Sequence, residues 1–146
     1  MYSFLFLCYD LVGEEMNNLV LAYLGDAVYE LYIREYLIKS GLAKVNELQN
    51  ASLNYVSAKA QRRILEELIN REFLTEEEIT IVNRGRNASS HASKTTDIIT
   101  YKKATGLECL IGYLYKENKE RCNEILEYIT NLGELWEYVE KMSLMK

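Results

Sequence analysis

The stretch that decides the fold runs from Asn18 to Gly41 and reads NLVLAYLGDAVYELYIREYLIKSG. It contains no proline, opens on an Asn pair and closes on Ser40-Gly41. Asn is a favoured N-cap residue, and Gly just after the last apolar position is typical of a helix C-terminus. Apolar side chains fall on nearly every face. The pattern therefore predicts a long central helix that packs on several sides.

Three polar residues interrupt this helix at steps of four: Asp26, Glu30 and Arg34. Glu30 and Arg34 can form an ion pair along the helix. An uncompensated carboxylate on such a helix is costly, so Asp26 needs a partner. A metal ion is one candidate. The alternative, which spacing alone favours, is an Asp26 that caps a neighbouring helix or pairs with an arginine.

Composition bounds the class of protein. With 146 residues, 49% of them apolar and 27% charged, the chain is expected to form a single soluble domain over residues 1–146. The net charge of −5 argues against a surface that binds nucleic acid everywhere, so any such contact must be local. Three cysteines without a C-x-x-C pair predict reduced thiols in a cytoplasmic protein, and no zinc site.

The start of the chain, residues 3–9, is an apolar run of seven residues. It lacks the basic flank and the cleavage site of a signal peptide, and no later stretch is long and uncharged enough to span a bilayer. We therefore expect no membrane association, and we expect residues 3–9 to pack on the core or on a second subunit.

The rest of the chain also reads as helical. Asn46 and Gln49 have capping-box spacing, and a longer helix is predicted from about Ser52 to Asn70. The buried side of that helix is predicted to be Leu53, Val56, Ala60, Ile64 and Leu68.

The second half follows the same pattern. Thr75 and Glu78 form a second capping box, at the start of a helix that should end at residues 83–86. A loop of small polar residues is expected over 87–96, and helix resumes near Asp97. Two further helices are predicted over 119–131 and 134–142, separated by Gly133. The predicted fold class is all-α.

Positive charge is concentrated in residues 84–103, which hold five lysines and arginines against Asp97 alone. A loop of small residues between arginines and lysines can bring backbone N–H groups and cations to phosphates. The alternative is a solvated loop with incidental charge. His91, among serines in this loop, reads as an exposed histidine rather than a catalytic base.

Glu108 is the second isolated acid. It is the only carboxylate between Asp97 and Glu117, on an otherwise apolar helical pattern. If its helix packs on the helix of Asp26, the two carboxylates can converge on one Mg²⁺ whose other positions are filled by water. Such an ion could activate a water for attack on a phosphodiester.

Several motifs together resemble one family. Leu24-Gly25-Asp26-Ala27 is similar to the ribonuclease III signature, and residues 108–112, ECLIG, resemble its second catalytic segment. The resemblance is closer to Mini-ribonuclease III, the bacterial subfamily without a double-stranded-RNA-binding domain. Its motifs are matched by residues 21–27, 56–59 and 84–88, by Thr96-Asp97, and by Thr100-Tyr101.

The resemblance implies a Mg²⁺-dependent endoribonuclease that cleaves double-stranded RNA. Asp26 and Glu108 would be the catalytic metal ligands. Two acids of the longer ribonuclease III enzymes are replaced, by Ala22 and Thr105. The residues expected to contact RNA are Arg84, Arg86, Asn87, Lys94 and Lys59.

The implied partners are a second copy of the chain, joined through the signature helix, and the precursor of large-subunit (23S) ribosomal RNA. A ribosomal protein is a candidate helper. Two other interpretations stay open: an inactive RNA-binding module of the same fold, suggested by Ala22 and Thr105, and a purely structural helical dimer. Cleavage of duplex RNA with Mg²⁺ but not with EDTA would separate the three.

Overall fold

The computed structural model describes residues 17–89 and 97–145, and that part of the chain contains six helices and no strand. The helices are α1 (Asn18–Lys39), α2 (Val45–Val56), α3 (Ala58–Asn70), α4 (Glu76–Ala88), α5 (Ile98–Glu117) and α6 (Lys119–Leu144). The predicted all-α class is confirmed. The apolar run 3–9, most of the predicted loop, His91 and Lys94 lie outside the described residues.

Helix α1 matches the opening stretch closely. The Asn17 side chain accepts a hydrogen bond from the Leu19 amide at 3.0 Å, and Gly41, with φ of +102°, follows the last turn. The buried stripe of α1 packs mainly on α5 and comprises Leu21, Ala22, Gly25, Tyr29, Ile33 and Leu37. Its opposite side is exposed, so contact on nearly every face is not found among the described residues.

Two glycines bring α1 and α5 into backbone contact. A Cβ added to Gly25 would lie 1.7 Å from the carbonyl oxygen of Glu108, and one added to Gly112 would lie 2.0 Å from that of Leu21. Any side chain at either position would push the helices apart. The crossing therefore requires glycine, and it places Asp26, the residue after Gly25, beside the turn that carries Glu108.

A second close approach joins α4 to α5. A Cβ on Gly85 would lie 2.6 Å from the Cβ of Cys109, and one on Gly106 would lie 2.8 Å from the carbonyl oxygen of Val82. The last turns of α4 are thus held against the part of α5 that includes Glu108. Gly85 is used for this contact with α5 and does not end the helix. Helix α4 therefore continues to Ala88 instead of ending at residues 83–86 as predicted.

The predicted helix from Ser52 to Asn70 is wrong in one respect: it is two helices. Ser57 adopts an extended conformation (φ −65°, ψ 153°), and its side chain accepts a hydrogen bond from the Ala60 amide at 3.2 Å, which caps α3. Ile64 and Leu68 are buried as predicted, but Leu53 lies before this break and is 56% exposed. The predicted Asn46–Gln49 box is also wrong, because α2 begins after Lys44 without a side-chain cap.

The two predicted C-terminal helices are one helix, α6. Gly133 does not interrupt it, since the glycine packs against the Tyr55 ring, where an added Cβ would lie 2.2 Å from the phenol oxygen. Its small size is used for this contact and not for a turn.

The Thr75–Glu78 capping box is confirmed and is also tied to α6. Both of its hydrogen bonds are present, and Arg121 donates to the two Glu78 oxygens at 2.8 and 2.9 Å. Burial raises the pKa of Glu78, but Arg121 and the Thr75 amide lower it more, so the carboxylate stays charged. The Arg121–Glu78 contact fixes the start of α4 on α6, while the last turns of α4 contact α5.

Candidate active site

Asp26 on α1 and Glu108 on α5 form the centre of the site. The helix crossing at Gly25 brings them close enough for their charges to interact. Burial, and then the Asp26 charge, raise the pKa of Glu108 to about 8. Burial and the charge of Glu30 also raise the pKa of Asp26. The fold therefore concentrates negative charge at one place.

Neither carboxylate has a cation or a hydrogen-bond donor as partner within residues 17–89 and 97–145. The nearby Glu30 does have one, because Arg34 lies 3.4 Å away, as the spacing predicted. Helix capping or arginine pairing, the alternative for Asp26, is not found in the described structure. Uncompensated carboxylates are costly, and their persistence at a helix crossing indicates a functional site.

The two acids fit a divalent cation of the Mg²⁺ type. Carboxylate oxygens are the ligands this ion prefers, and a cation would offset both the burial and the mutual repulsion that raise the two pKa values. The described residues contain no group of three or more His, Cys, Asp or Glu residues that could hold a metal. Asp26 and Glu108 could therefore supply two ligands, with water and RNA oxygens completing the shell.

The two positions at which acids are replaced, Ala22 and Thr105, add no carboxylate to the site. Ala22 is buried in the α1 stripe, and the Thr105 hydroxyl donates a hydrogen bond to the Tyr101 carbonyl at 2.9 Å. The hydroxyl is thus used inside its own helix. The sequence could identify both replacements but not this bond.

The end of α4 brings positive charge to the same stretch of α5 that carries Glu108. Arg84 and Asn87 are exposed, while Arg86 is half-buried with its stem against Gly106. Burial raises the pKa of the Cys109 thiol to about 11, and the Arg84 charge opposes that rise. Arg84 is therefore close to Cys109, the residue after Glu108.

Part of the positive charge in residues 84–103 is compensated inside the fold. Lys103 pairs with Glu66 at 2.6 Å, a contact that sequence reasoning missed because Glu66 lies on α3. Arg84, Arg86 and Lys102 make no ion pair with any described residue. We call these three cations the basic surface.

One predicted RNA-binding residue, Lys59, is not part of this arrangement. Lys59 is exposed and lines a groove between α1, α3 and α6, together with Tyr36, Trp136 and Glu137. Neither the two acids nor the basic surface lines this groove. Lys94 lies outside the described residues, so its role stays a prediction.

Residues 19–119 match the Ribonuclease III domain family. The chain belongs to the ribonuclease III family. It is 47% identical to a Mini-ribonuclease 3 of Enterococcus faecalis over 83% of this chain and 94% of that protein. It is 52% identical to a Mini-ribonuclease 3 of Brevibacillus brevis over 76% and 83%. The resemblance to Mini-ribonuclease III is confirmed, and the family assigns the chain a coarse activity, that of an endoribonuclease.

A solved structure agrees with the fold. The crystal structure of a Fusobacterium nucleatum protein matches with a TM-score of 0.70 at 34% identity, over 81% of this chain and 93% of that one. The ribonuclease III-like domain architecture is therefore supported by sequence and by shape. Among the helices of the described part, none is long and apolar enough to cross a membrane.

Proposed function

We propose that the protein is a Mg²⁺-dependent endoribonuclease that cleaves double-stranded RNA. The observation that carries the proposal is that Asp26 and Glu108, two carboxylates without a partner among the described residues, come together where α1 crosses α5. Arg84 and Arg86, which pair with no described acid, lie on α4, the other helix that crosses the same part of α5. This combination suits a phosphodiester substrate. Cations would bind its phosphates, and the acids would hold the metal ion that activates the attacking water.

The residues divide the work. When bound, Mg²⁺ lowers the pKa of a coordinated water and polarises the phosphoryl oxygen. Asp26 and Glu108 hold the ion, and both must be deprotonated to do so, so metal and proton compete for Glu108. Arg84 and Arg86 orient the RNA backbone by its phosphates, which gives position rather than sequence preference. Asn87 can donate its side-chain amide to the same backbone.

Duplex RNA and a homodimer fit together in this proposal. A-form RNA is recognised by its shape and backbone, which suits a surface of unpaired cations. The exposed apolar side of α1 offers a self-complementary contact, and two copies related by a two-fold axis would place one site against each strand.

A finer assignment rests on the resemblance. It points to the precursor of 23S ribosomal RNA as substrate, in the cytoplasm, with a ribosomal protein as a candidate helper. Comparing cleavage of that precursor with cleavage of an unrelated duplex of equal length would test it. Equal rates on both would reject the assignment without touching the proposed chemistry.

The activity itself is tested by two conservative changes, Asp26→Asn and Glu108→Gln. Each keeps the side-chain shape and removes one charged ligand, so Mg²⁺-dependent cleavage of duplex RNA should fall by roughly 100-fold or more. The helical circular-dichroism signal should be unchanged, since neither carboxylate bonds to a described residue. Glu120→Gln, at an exposed position in the first turn of α6, serves as a control that removes a carboxylate elsewhere.

The competing interpretations give different results. An inactive RNA-binding module would bind duplex RNA and leave it intact with Mg²⁺ and with EDTA alike. A purely structural dimer would not bind it. If either variant cleaves at the wild-type rate, that residue does not hold the metal.

A further inference from the structure

A network of five side chains links α3 to the first turns of α5. Arg62 donates through Nη1 to the Thr100 hydroxyl at 2.9 Å and through Nε to Glu66 at 2.9 Å. Lys103 donates to the same Glu66 oxygen at 2.6 Å. Thr100 donates its hydroxyl to Asp97 at 2.8 Å and its amide to the other Asp97 oxygen at 2.9 Å. We call these residues the Thr100 network.

The bonds have a fixed direction. A hydroxyl has one proton, and Thr100 gives it to Asp97 while its oxygen accepts from Arg62. Thr100 is only 3% exposed, and its hydroxyl connects Arg62 on α3 to Asp97, the N-cap residue of α5, by hydrogen bonds. A methyl group in place of the hydroxyl would remove both bonds together, so Arg62 would keep only its bond to Glu66 and the longer approach to Asp97.

The network also balances charge. It contains two cations, Arg62 and Lys103, and two anions, Glu66 and Asp97, so its net charge is zero. Asp97 is the single acid among residues 84–103. With Arg62 at 3.9 Å, the charge of Asp97 is compensated from α3, so Asp97 subtracts less from the positive charge of residues 84–103.

The position of the network decides what it can affect. Gly85 on α4 and Gly106 on α5 fix the end of α4 on α5. Gly106 lies two turns after the start of α5. The first turn of α5, which precedes Lys102, is instead anchored to α3 by Arg62 and Thr100. The network thus gives the α5 segment that carries Lys102 a second anchor, on α3, in addition to the Gly85–Gly106 approach to α4. No bond of the network involves Asp26 or Glu108.

We propose that Arg62 and Thr100 are positioning residues for RNA binding: they anchor the first turn of α5 and neutralise Asp97, so that the basic surface keeps its shape and its charge. The inference rests on the proposed function. It concerns substrate binding and not the metal chemistry, since no member of the network approaches the two acids.

The test measures duplex RNA binding in Ca²⁺ and cleavage in Mg²⁺ for Thr100→Val, Thr100→Ser and Arg62→Met. Thr100→Val should weaken binding and raise KM by roughly five- to ten-fold, the effect of a lost hydrogen bond or two, while kcat stays within about two-fold. Thr100→Ser keeps the hydroxyl and should bind like the wild type. Arg62→Met, at a half-exposed position that tolerates change, should behave like Thr100→Val.

Arg71→Met is the matched control. It breaks an ion pair of the same kind, to Glu67 at 2.6 Å, in the last turn of α3 and away from α5. Its binding and its KM should be those of the wild type.

The outcomes separate the alternatives. Unchanged binding by Thr100→Val and Arg62→Met would overturn the inference, and so would equal loss in Thr100→Val and Thr100→Ser. A fall in kcat with constant KM would also overturn it, since the network would then act on the site. An Arg84→Ala, Arg86→Ala variant run in parallel shows whether the basic surface binds RNA at all. If that variant also binds normally, the proposed surface fails; if it alone weakens binding, only this inference fails.

Discussion

The fold and the proposed activity favour different protonation states of Glu108. Its carboxyl is buried at the α1–α5 crossing and faces a second acid, so its pKa rises to about 8. A metal ligand must be ionised, yet the metal-free fold favours the protonated form. The fold therefore keeps Glu108 protonated at neutral pH, and under the proposed function a cation would have to displace that proton to bind.

This conflict predicts an unusual pH dependence of stability. The pKa of Glu108 is about 8 in the folded chain and near its ordinary 4.5 when unfolded, so the folded state binds the extra proton between those values. The free energy of unfolding should therefore fall as pH rises from about 5 to 8, opposite to the behaviour of an ion-paired acid. Asp26, whose pKa is also raised, contributes in the same direction.

The measurement is the melting temperature in EDTA across this pH range, for the wild type and Glu108→Gln. At pH 8 the variant should melt higher than the wild type by roughly 2–8 °C, and the two should converge near pH 5. Adding Mg²⁺ at pH 8 should raise the melting temperature of the wild type and not that of the variant. Parallel pH profiles for the two proteins would contradict the assigned burial of Glu108.

At the scale of elements, the site depends on which helices touch. Helix α5 is the common partner: α1 crosses it at Gly25 and Gly112, and α4 at Gly85 and Gly106. Each crossing delivers one chemical component, a carboxylate from α1 and arginines from α4. Both crossings involve the same stretch of α5, residues 106–112.

The end of α4 can be tested through salt dependence. Phosphate contacts release condensed counterions, so each lost contact should make the slope of log affinity against log salt shallower by roughly one unit. We expect the Arg84→Ala, Arg86→Ala variant to bind unrelated duplexes equally weakly, and its slope in Ca²⁺ to fall accordingly. Lys59→Ala, in the separate groove, is the matched control and should retain the wild-type slope.

An unchanged slope in the double variant would assign both arginines to helix packing. A reduced slope for Lys59→Ala would instead show that RNA extends to the groove beside α6. The two results are independent, because Lys59 lines neither the acid pair nor the basic surface.

Sequence predicted the elements whose signals are local. The Asn17 cap and Gly41 bound α1, Thr75 and Glu78 start α4, and Asp97 starts α5, all within their own turn. Breaks were misplaced where tertiary contact decides. Ser57 ends a helix although its neighbours are helix formers, and Gly133 continues one because Tyr55 covers it.

The site shows the same division. Asp26 and Glu108 stand out in the sequence as acids on apolar helices, so their convergence could be anticipated. The pairing of Lys103 with Glu66, and of Arg62 with Thr100, joins residues more than thirty positions apart. No periodicity connects such pairs. Part of the local positive charge was therefore overestimated as free.

At the scale of the whole molecule, α1 has two apolar sides, and residues 17–89 and 97–145 cover only one of them. The side toward α5 is the core, while the opposite side exposes Val20, Tyr23, Leu31 and Ile38. These positions follow one another at steps of three, eight and seven residues, which places them on one stripe of a helix with 3.6 residues per turn. Asp26 lies at the edge between the two sides, so whatever covers this stripe also borders the metal ligands.

The last prediction is that a second copy of the chain covers this stripe. An isologous contact needs a patch that matches itself, and a straight apolar helix face crossing its own copy provides one. Tyr23 is 83% exposed and Leu31 is 60% exposed, and a contiguous apolar patch of this kind on a small domain marks an interaction surface. Light scattering at micromolar concentration should therefore give twice the chain mass of 17.0 kDa.

A charge placed on the stripe should separate the copies. Leu31→Lys buries two like charges near the two-fold axis of the dimer, and we expect it to give the monomer mass with an unchanged helical signal. Leu53→Lys, an equally exposed leucine on α2, should leave the dimer intact and is the matched control. The monomeric variant should still bind metal through Asp26 and Glu108 but should cut one strand of a duplex at a time. A wild-type protein that is monomeric, or a Leu31→Lys protein that stays dimeric, would place the contact on another surface and leave the α1 stripe without an assigned role.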